Sequence, residues 1–317
     1  MVLRLIRLFS LCLLALGLLL SLCSCNTSVH LLTPVAPDTA VTPLATTTPL
    51  SLMAGGEYVT VDGRRLALYC SGMGSPTVIL EAGLGADHRS WDLVQPAVAT
   101  LSRVCSYDRA GTGASDNVPV GRTGADVVAD LEQLLSQSGE TGPFVLVGHS
   151  FGALFVRLYT ATHPDEVSGV ILVDAVHEAW WERAAALLPP ATATDSSRLH
   201  NFRTFITSGY RLPEQTPEGI NIPATVTQVV AAGDLGDRPL LVLVAGIPTV
   251  IAPGLPPDLE AQLDELLQQT LPDELLSLSS FSMRLPVDDS GHNIPQEQPD
   301  AVVVAIRTML DVTRMGQ

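Results

Sequence analysis

The chain has 317 residues, with 33 acids against 17 bases and a formal net charge of −16. That balance disfavours nucleic acid as a partner and disfavours electrostatic binding to anionic membranes. Hydrophobic residues make up 46% of the sequence, enough for a large buried core.

Residues 1–25 read as an export signal. Arg4 and Arg7 form a basic start, the run from Leu8 to Leu22 is almost wholly apolar, and no acid precedes Asp38. The run is somewhat short for a spanning helix, which needs about 20 residues. Its end, Leu22-Cys23-Ser24-Cys25, resembles the lipobox of bacterial lipoproteins, where a small residue precedes a cysteine that becomes lipid-modified. The resemblance implies Cys25 as the first mature residue and a place in the cell envelope, facing away from the cytoplasm. An ordinary cleaved signal with secretion, or an uncleaved anchor, is the alternative. Attachment to a membrane would then come from the lipid, and stable anchoring needs more than one acyl chain. Residues 26–52 are rich in Thr, Pro, Ser and Ala with almost no charge, which predicts an extended, disordered tether. Residues 53–317 suit one α/β domain with an insertion.

Apolar, β-rich runs alternate with helical stretches through that domain, the pattern of a mostly parallel sheet covered on both faces. Residues 57–61 and 65–70 predict an antiparallel pair turning at Asp62-Gly63, a strong hairpin dipeptide. Further strands are predicted at 77–81, 104–107, 144–147, 170–173, 240–245 and 282–287, making eight. Helical spacing of apolar residues marks 91–101, 125–138, 152–162, 258–270 and 301–312. Between about 176 and 238 the alternation breaks. There Trp180, Trp181, Phe202, Phe205 and Tyr210 stand among prolines, composing either a functional lid with an apolar pocket or a structural insertion.

Cysteines number five, and three of them fall in the signal region. Cys70 and Cys105 remain, either joined in an oxidising compartment or kept as two buried thiols. No CxxC or HExxH motif occurs, and His177-Glu178 is followed by Trp181 where a second histidine would be needed. A metal site therefore has no support in the sequence.

The predicted strand at 144–147 runs into Gly148-His149-Ser150-Phe151-Gly152 and then into the helix at 152–162. G-x-S-x-G between strand and helix is a nucleophile elbow, a strained turn that lifts the serine hydroxyl out of the sheet. The pentapeptide is short, so its context must carry the argument. Serine needs a base to take its proton. Of the seven histidines, His292 is best placed, in Asp288-Asp289-Ser290-Gly291-His292 after the last strand and before the last helix. Attack on an acyl carbon also needs donors for the oxyanion. The turn Glu81-Ala82-Gly83-Leu84-Gly85-Ala86 leaves the third strand's carboxyl end, so the N–H groups of Leu84 and Phe151 are the candidate pair.

These pieces, with Tyr107-Asp108-Arg109-Ala110-Gly111-Thr112-Gly113 after the fourth strand, resemble the α/β-hydrolase superfamily over about residues 57–312. The resemblance implies strand order 1-2-4-3-5-6-7-8, which makes the strands of Cys70 and Cys105 neighbours and favours their pairing. It also implies structural rather than chemical roles for Asp108 and Arg109. One departure stands out. Most relatives carry the triad carboxylate just after strand seven, but here residues 246–257 contain no acid. Some members place it after strand six, where this chain has Asp174; Asp258 is the runner-up, followed by Asp264, Asp288 and Asp289. The expectation is a cofactor-independent serine hydrolase, a carboxylesterase for a small-molecule ester with an apolar part. Thioesterase, lipase, amidase, lactonase and cofactor-free haloperoxidase chemistry use similar triads. From another class, a catalytically silent binding module at the cell surface is the competing expectation, supported only by the missing strand-seven acid.

Overall fold

The structure is a computed structural model that describes residues 56–248 and 254–315. The expected signal, the lipidation site Cys25 and the tether lie outside the described residues. Eight strands form one sheet: β1 (Gly56–Val61), β2 (Arg64–Ser71), β3 (Thr77–Glu81), β4 (Val104–Tyr107), β5 (Phe144–His149), β6 (Val167–Val173), β7 (Leu240–Ala245) and β8 (Ser282–Val287). Their order is β1-β2-β4-β3-β5-β6-β7-β8, as the superfamily resemblance implied. β1 and β4 each pair antiparallel with β2, and every other pairing is parallel.

Period-two side-chain alternation splits the core into two layers. Phe144 and Leu146 of β5 point into one layer and Val145 and Val147 into the other; Val242 and Leu243 of β7 divide in the same way. The helices are α1 (Gln95–Val98), α2 (Gly124–Ser138), α3 (Gly152–Thr162), α4 (Trp180–Leu187), α5 (Ser197–Thr207), α6 (Ile222–Ala232), α7 (Pro257–Glu265), α8 (Leu271–Leu276), α9 (Ile294–Glu297) and α10 (Pro299–Met315). α2, α3 and the insertion close the first layer, while Trp91, α1 and α10 close the second.

Two helices differ from expectation, each because of a proline. The helix expected at 91–101 is only a 3₁₀ turn at His88–Trp91 followed by the four residues of α1. Pro96 lacks the N–H that a continuous helix needs there, so it sits in the first turn of α1 instead. The helix expected at 258–270 continues to Leu276 through a π turn at Leu266–Thr270, in which the Leu271 N–H reaches back to the Leu266 carbonyl. Pro272 cannot donate to the carbonyl of Gln268, and Arg284 of β8 takes that carbonyl instead.

The insertion between β6 and β7 carries α4, α5, three 3₁₀ turns and α6. Trp181 stacks on Tyr210 with centroids 5.4 Å apart and meets Phe151 edge-on at 6.1 Å. Most of the insertion's aromatics are thus packing residues; Phe205 is exposed. Cys70 and Cys105 face each other across the β2–β4 ladder and are joined by a disulfide, with an S–S distance of 2.00 Å.

Candidate active site

Ser150 occupies the turn between β5 and α3 with φ of +54°, in the left-handed region that non-glycine residues rarely adopt. Two neighbours must be glycine for the turn to close. A Cβ on Gly148 would come within 2.8 Å of the Ala153 Cα, and one on Gly152 within 2.5 Å of the Ala82 carbonyl. The Ser150 N–H donates to the Val173 carbonyl at 3.0 Å, and the Ser150 carbonyl accepts from the Val176 N–H at 3.0 Å. Both bonds tie the elbow to the end of β6, where Asp174 lies.

His292 Nε2 is 2.9 Å from Ser150 Oγ, and His292 Nδ1 is 2.6 Å from Asp174 Oδ2. The carboxylate side requires a proton on Nδ1, which leaves the Nε2 lone pair to accept from the serine hydroxyl. Asp174 has a φ of +41° and is held by β7: its N–H donates to the Leu243 carbonyl at 2.9 Å and its Oδ1 accepts from the Ala245 N–H at 3.0 Å. A strand-six carboxylate therefore reaches the position that strand seven leaves empty. Asp258, by contrast, is exposed in the first turn of α7, Asp288 and Asp289 are exposed beside β8, and none of the three bonds His292. Asp264 lies within α7, and its carboxyl is pushed up by burial and by nearby Glu260.

The loop carrying His292 is pinned at several points. Its own carbonyl accepts from His149 Nε2 at 2.9 Å, the Gly291 N–H donates to Glu297 at 2.6 Å, and Ser290 is fully buried. His149, next to the nucleophile in sequence, is itself buried; desolvation and then the neighbouring His292 lower its pKa to about 4, so it is neutral at pH 7.

On the other side of Ser150 lies the Gly83–Gly85 turn, close enough that a Cβ on Gly83 would come within 3.3 Å of the Ser150 Cβ. Arg109, 3% exposed, organises it by donating to the Ala82 carbonyl at 2.8 Å and the Gly83 carbonyl at 2.6 Å. The same guanidinium pairs with Glu81 of β3 and with Glu218 of the insertion. Burial works against its charge, but the two carboxylates hold its pKa above the ordinary arginine value. Glu218 also accepts the Gly85 N–H at 2.5 Å, and the Ala86 N–H bonds the Gly83 carbonyl at 3.1 Å. The N–H groups of Leu84 and Phe151 are left without partners among the described residues. Asp108 is buried and accepts from the N–H groups of His88 and Ala114, a turn-building role.

A cavity of about 180 Å³ opens beside Ser150, Asp174 and His292. β7 residues Val242 to Ala245, Trp180 and the π turn line it, so of the five insertion aromatics only Trp180 reaches it. Two groups of metal-capable side chains exist among the described residues, but their donors are engaged: Cys70 and Cys105 with each other, Asp87 with Arg89, and His88 with Asp108.

A serine, a histidine and a carboxylate gathered at the carboxyl ends of a doubly covered parallel sheet, with two free amides opposite, define an α/β protein of the hydrolase class. The chain belongs to the alpha/beta hydrolase family, whose family model matches residues 78–306. It is 27% identical over 248 residues to YqjL, an uncharacterized protein of Bacillus subtilis, covering 78% of this chain and 88% of that one. It is 35% identical over 109 residues to a putative carbamate hydrolase, RutD, of Yersinia enterocolitica, covering 33% of this chain and 39% of the relative. Among solved structures, a thermophilic esterase from Thermogutta terrifontis shares the fold with a TM-score of 0.55 and 21% identity, over 82% of this chain and 99% of that one.

Glu218 and Gln268 were not singled out by sequence reasoning. Nothing marks Glu218 within an irregular insertion. Gln268 carried one faint signal, the proline four residues downstream that frees its carbonyl.

Proposed function

We propose that the protein is a serine carboxylesterase that works through Ser150, His292 and Asp174. The observation that carries this reading is the continuous chain of contacts, 2.9 Å from Ser150 Oγ to His292 and 2.6 Å from His292 to Asp174, facing two unpaired amides. His292 takes the Ser150 proton as the hydroxyl oxygen attacks the ester carbonyl, and the charge that develops on the carbonyl oxygen falls to the Leu84 and Phe151 N–H groups. Collapse of the tetrahedral intermediate passes the proton from His292 to the departing alkoxide and leaves an acyl-Ser150. Water, deprotonated by His292, then attacks the acyl carbon and restores the serine. The apolar cavity accommodates an apolar part of the ester. Asp174 answers the one feature that spoke for a silent binding module, because it lies where strand seven offers no acid. We further propose that Cys25 carries the lipid that holds the enzyme at the outer side of a cell membrane.

A fluorophosphonate probe tests the nucleophile. The native protein should become labelled and lose turnover of a short-chain chromogenic ester together, and Ser150→Ala should do neither. Equal labelling of the two proteins would refute the assignment.

A further inference from the structure

Five buried side-chain polar atoms have no hydrogen-bond partner among the described residues: His88 Nε2, Trp91 Nε1, Arg157 Nε, Trp181 Nε1 and Gln268 Nε2. Only Gln268 lines the cavity beside Ser150. Its amide nitrogen is shut off from solvent, and no group among the described residues bonds its side chain. Protein interiors pair roughly 90% or more of such groups, because an unmade bond forfeits hydration with nothing in return.

The backbone shows why the glutamine stands there. A regular helix would bond the Gln268 carbonyl from residue 272, but Pro272 has no N–H, the ladder widens to a π turn, and Arg284 takes the freed carbonyl. The turn thus places one polar side chain in a wall otherwise formed by Leu267, Pro272, Leu275, Trp180 and β7. A cavity of roughly 150 Å³ accepts a benzene molecule. At about 180 Å³, this one takes a compact group of similar size.

Building on the esterase reading, we propose that Gln268 is the specificity-determining residue of this cavity: its side chain lines the wall with Nε2 turned away from the open space, and rotation of the amide presents that donor to an oxygen on the substrate. The preferred ester therefore carries, on the half that enters the cavity, a compact group bearing a hydrogen-bond acceptor such as a ketone or ether oxygen. A purely hydrocarbon group of equal size fills the same space but leaves the amide unpaired, and a site with an unmatched buried donor discriminates against such an analogue.

Two pairs of matched esters test this and assign the half. In the acyl pair, 4-nitrophenyl 4-oxopentanoate is compared with 4-nitrophenyl 4-methylpentanoate. In the alcohol pair, the acetate of 4-hydroxybutan-2-one is compared with that of 3-methylbutan-1-ol. Native enzyme should favour the ketone member of one pair by about tenfold in kcat/KM, and the pair that shows the preference identifies the half that enters the cavity. Gln268→Met should erase that preference while still becoming labelled by the fluorophosphonate probe, which reports an intact nucleophile; Gln268→Leu serves if the methionine variant is poorly folded. Equal kcat/KM within both pairs, or a preference that survives in these variants, overturns the proposal and leaves the esterase reading standing. Turnover that persists in Ser150→Ala overturns the esterase reading and this inference with it.

Discussion

The two flanks of Ser150 are built by different physics. On the amide side, Glu81, Arg109 and Glu218 form a buried ionic cluster that engages the Ala82 and Gly83 carbonyls and the Gly85 N–H. On the cavity side the wall is apolar, with a single unpartnered amide at Gln268. Charged hydrogen bonds fix a loop to within a narrow geometry, which suits donors that must already be aimed when charge develops. Apolar packing fixes shape and volume without direction, which suits selection among groups of different size. The contrast predicts that substitutions on the amide flank act on kcat and substitutions on the cavity flank act on substrate preference.

Asp174 provides the largest test, because it sits between the flanks, orienting His292 and bordering the cavity. Asp174→Asn should lower kcat by about 10³- to 10⁴-fold through the wrong histidine tautomer. Asp258→Asn should leave turnover near the native value. Near-native turnover in Asp174→Asn would refute the assignment of the acid to Asp174. A smaller effect is expected at Glu218, which lies in the insertion yet holds the Gly85 N–H and one side of Arg109. Removing it by Glu218→Ala frees the turn to shift, and a misplacement of about 1 Å can cost on the order of 100-fold in rate. We expect kcat to fall by about 10- to 100-fold with KM and the ketone preference little changed, and Glu218→Gln to recover part of the loss. A change in KM alone would mean that Glu218 shapes the cavity rather than the donors, and the contrast between flanks would fail.

The same contrast explains which parts of the molecule were legible in the sequence. Short apolar runs located the central strands β3 to β7, since a strand buried on both faces has few residue types to choose from, and the Asp62-Gly63 turn located β1 and β2. Ser150 and His292 could be placed because each follows a strand in a short turn whose glycines advertise its shape. Asp174 was harder: its reach to His292 depends on the β6–β7 register and on bonds to Leu243 and Ala245, some 70 residues away. Glu218 and Gln268 depend entirely on long-range placement, one bonding a turn 133 residues earlier and the other lining a cavity whose walls come from distant segments. The helix expected at 91–101 is cut short for a local reason: Pro96 interrupts the hydrogen-bond ladder that the apolar spacing alone would allow.

His149 offers the smallest and most specific test, since it links the elbow to the His292 loop but neither supplies an oxyanion donor nor lines the cavity. Its ordinary pKa of 6.5 falls to about 4 in the folded protein, chiefly through burial. The unfolded chain therefore binds a proton at this residue between those two values when the folded protein does not. Protonation favours the unfolded state there, so the contribution is intact above pH 6.5 and is lost as pH falls toward 4, by about 3 kcal/mol in all. Glu178, lowered to about 2 because Arg157 outweighs its burial, adds an acid-labile contribution of its own at lower pH. Native and variant must therefore be compared at each pH. His149→Gln keeps an N–H for the His292 carbonyl but cannot titrate, so urea unfolding between pH 6.5 and 4.5 should show a shallower loss of stability than in the native protein. Parallel curves would mean that His149 is not held neutral by the fold. The His292 loop would then be anchored through Gly291 and Glu297 without a silent histidine beneath it.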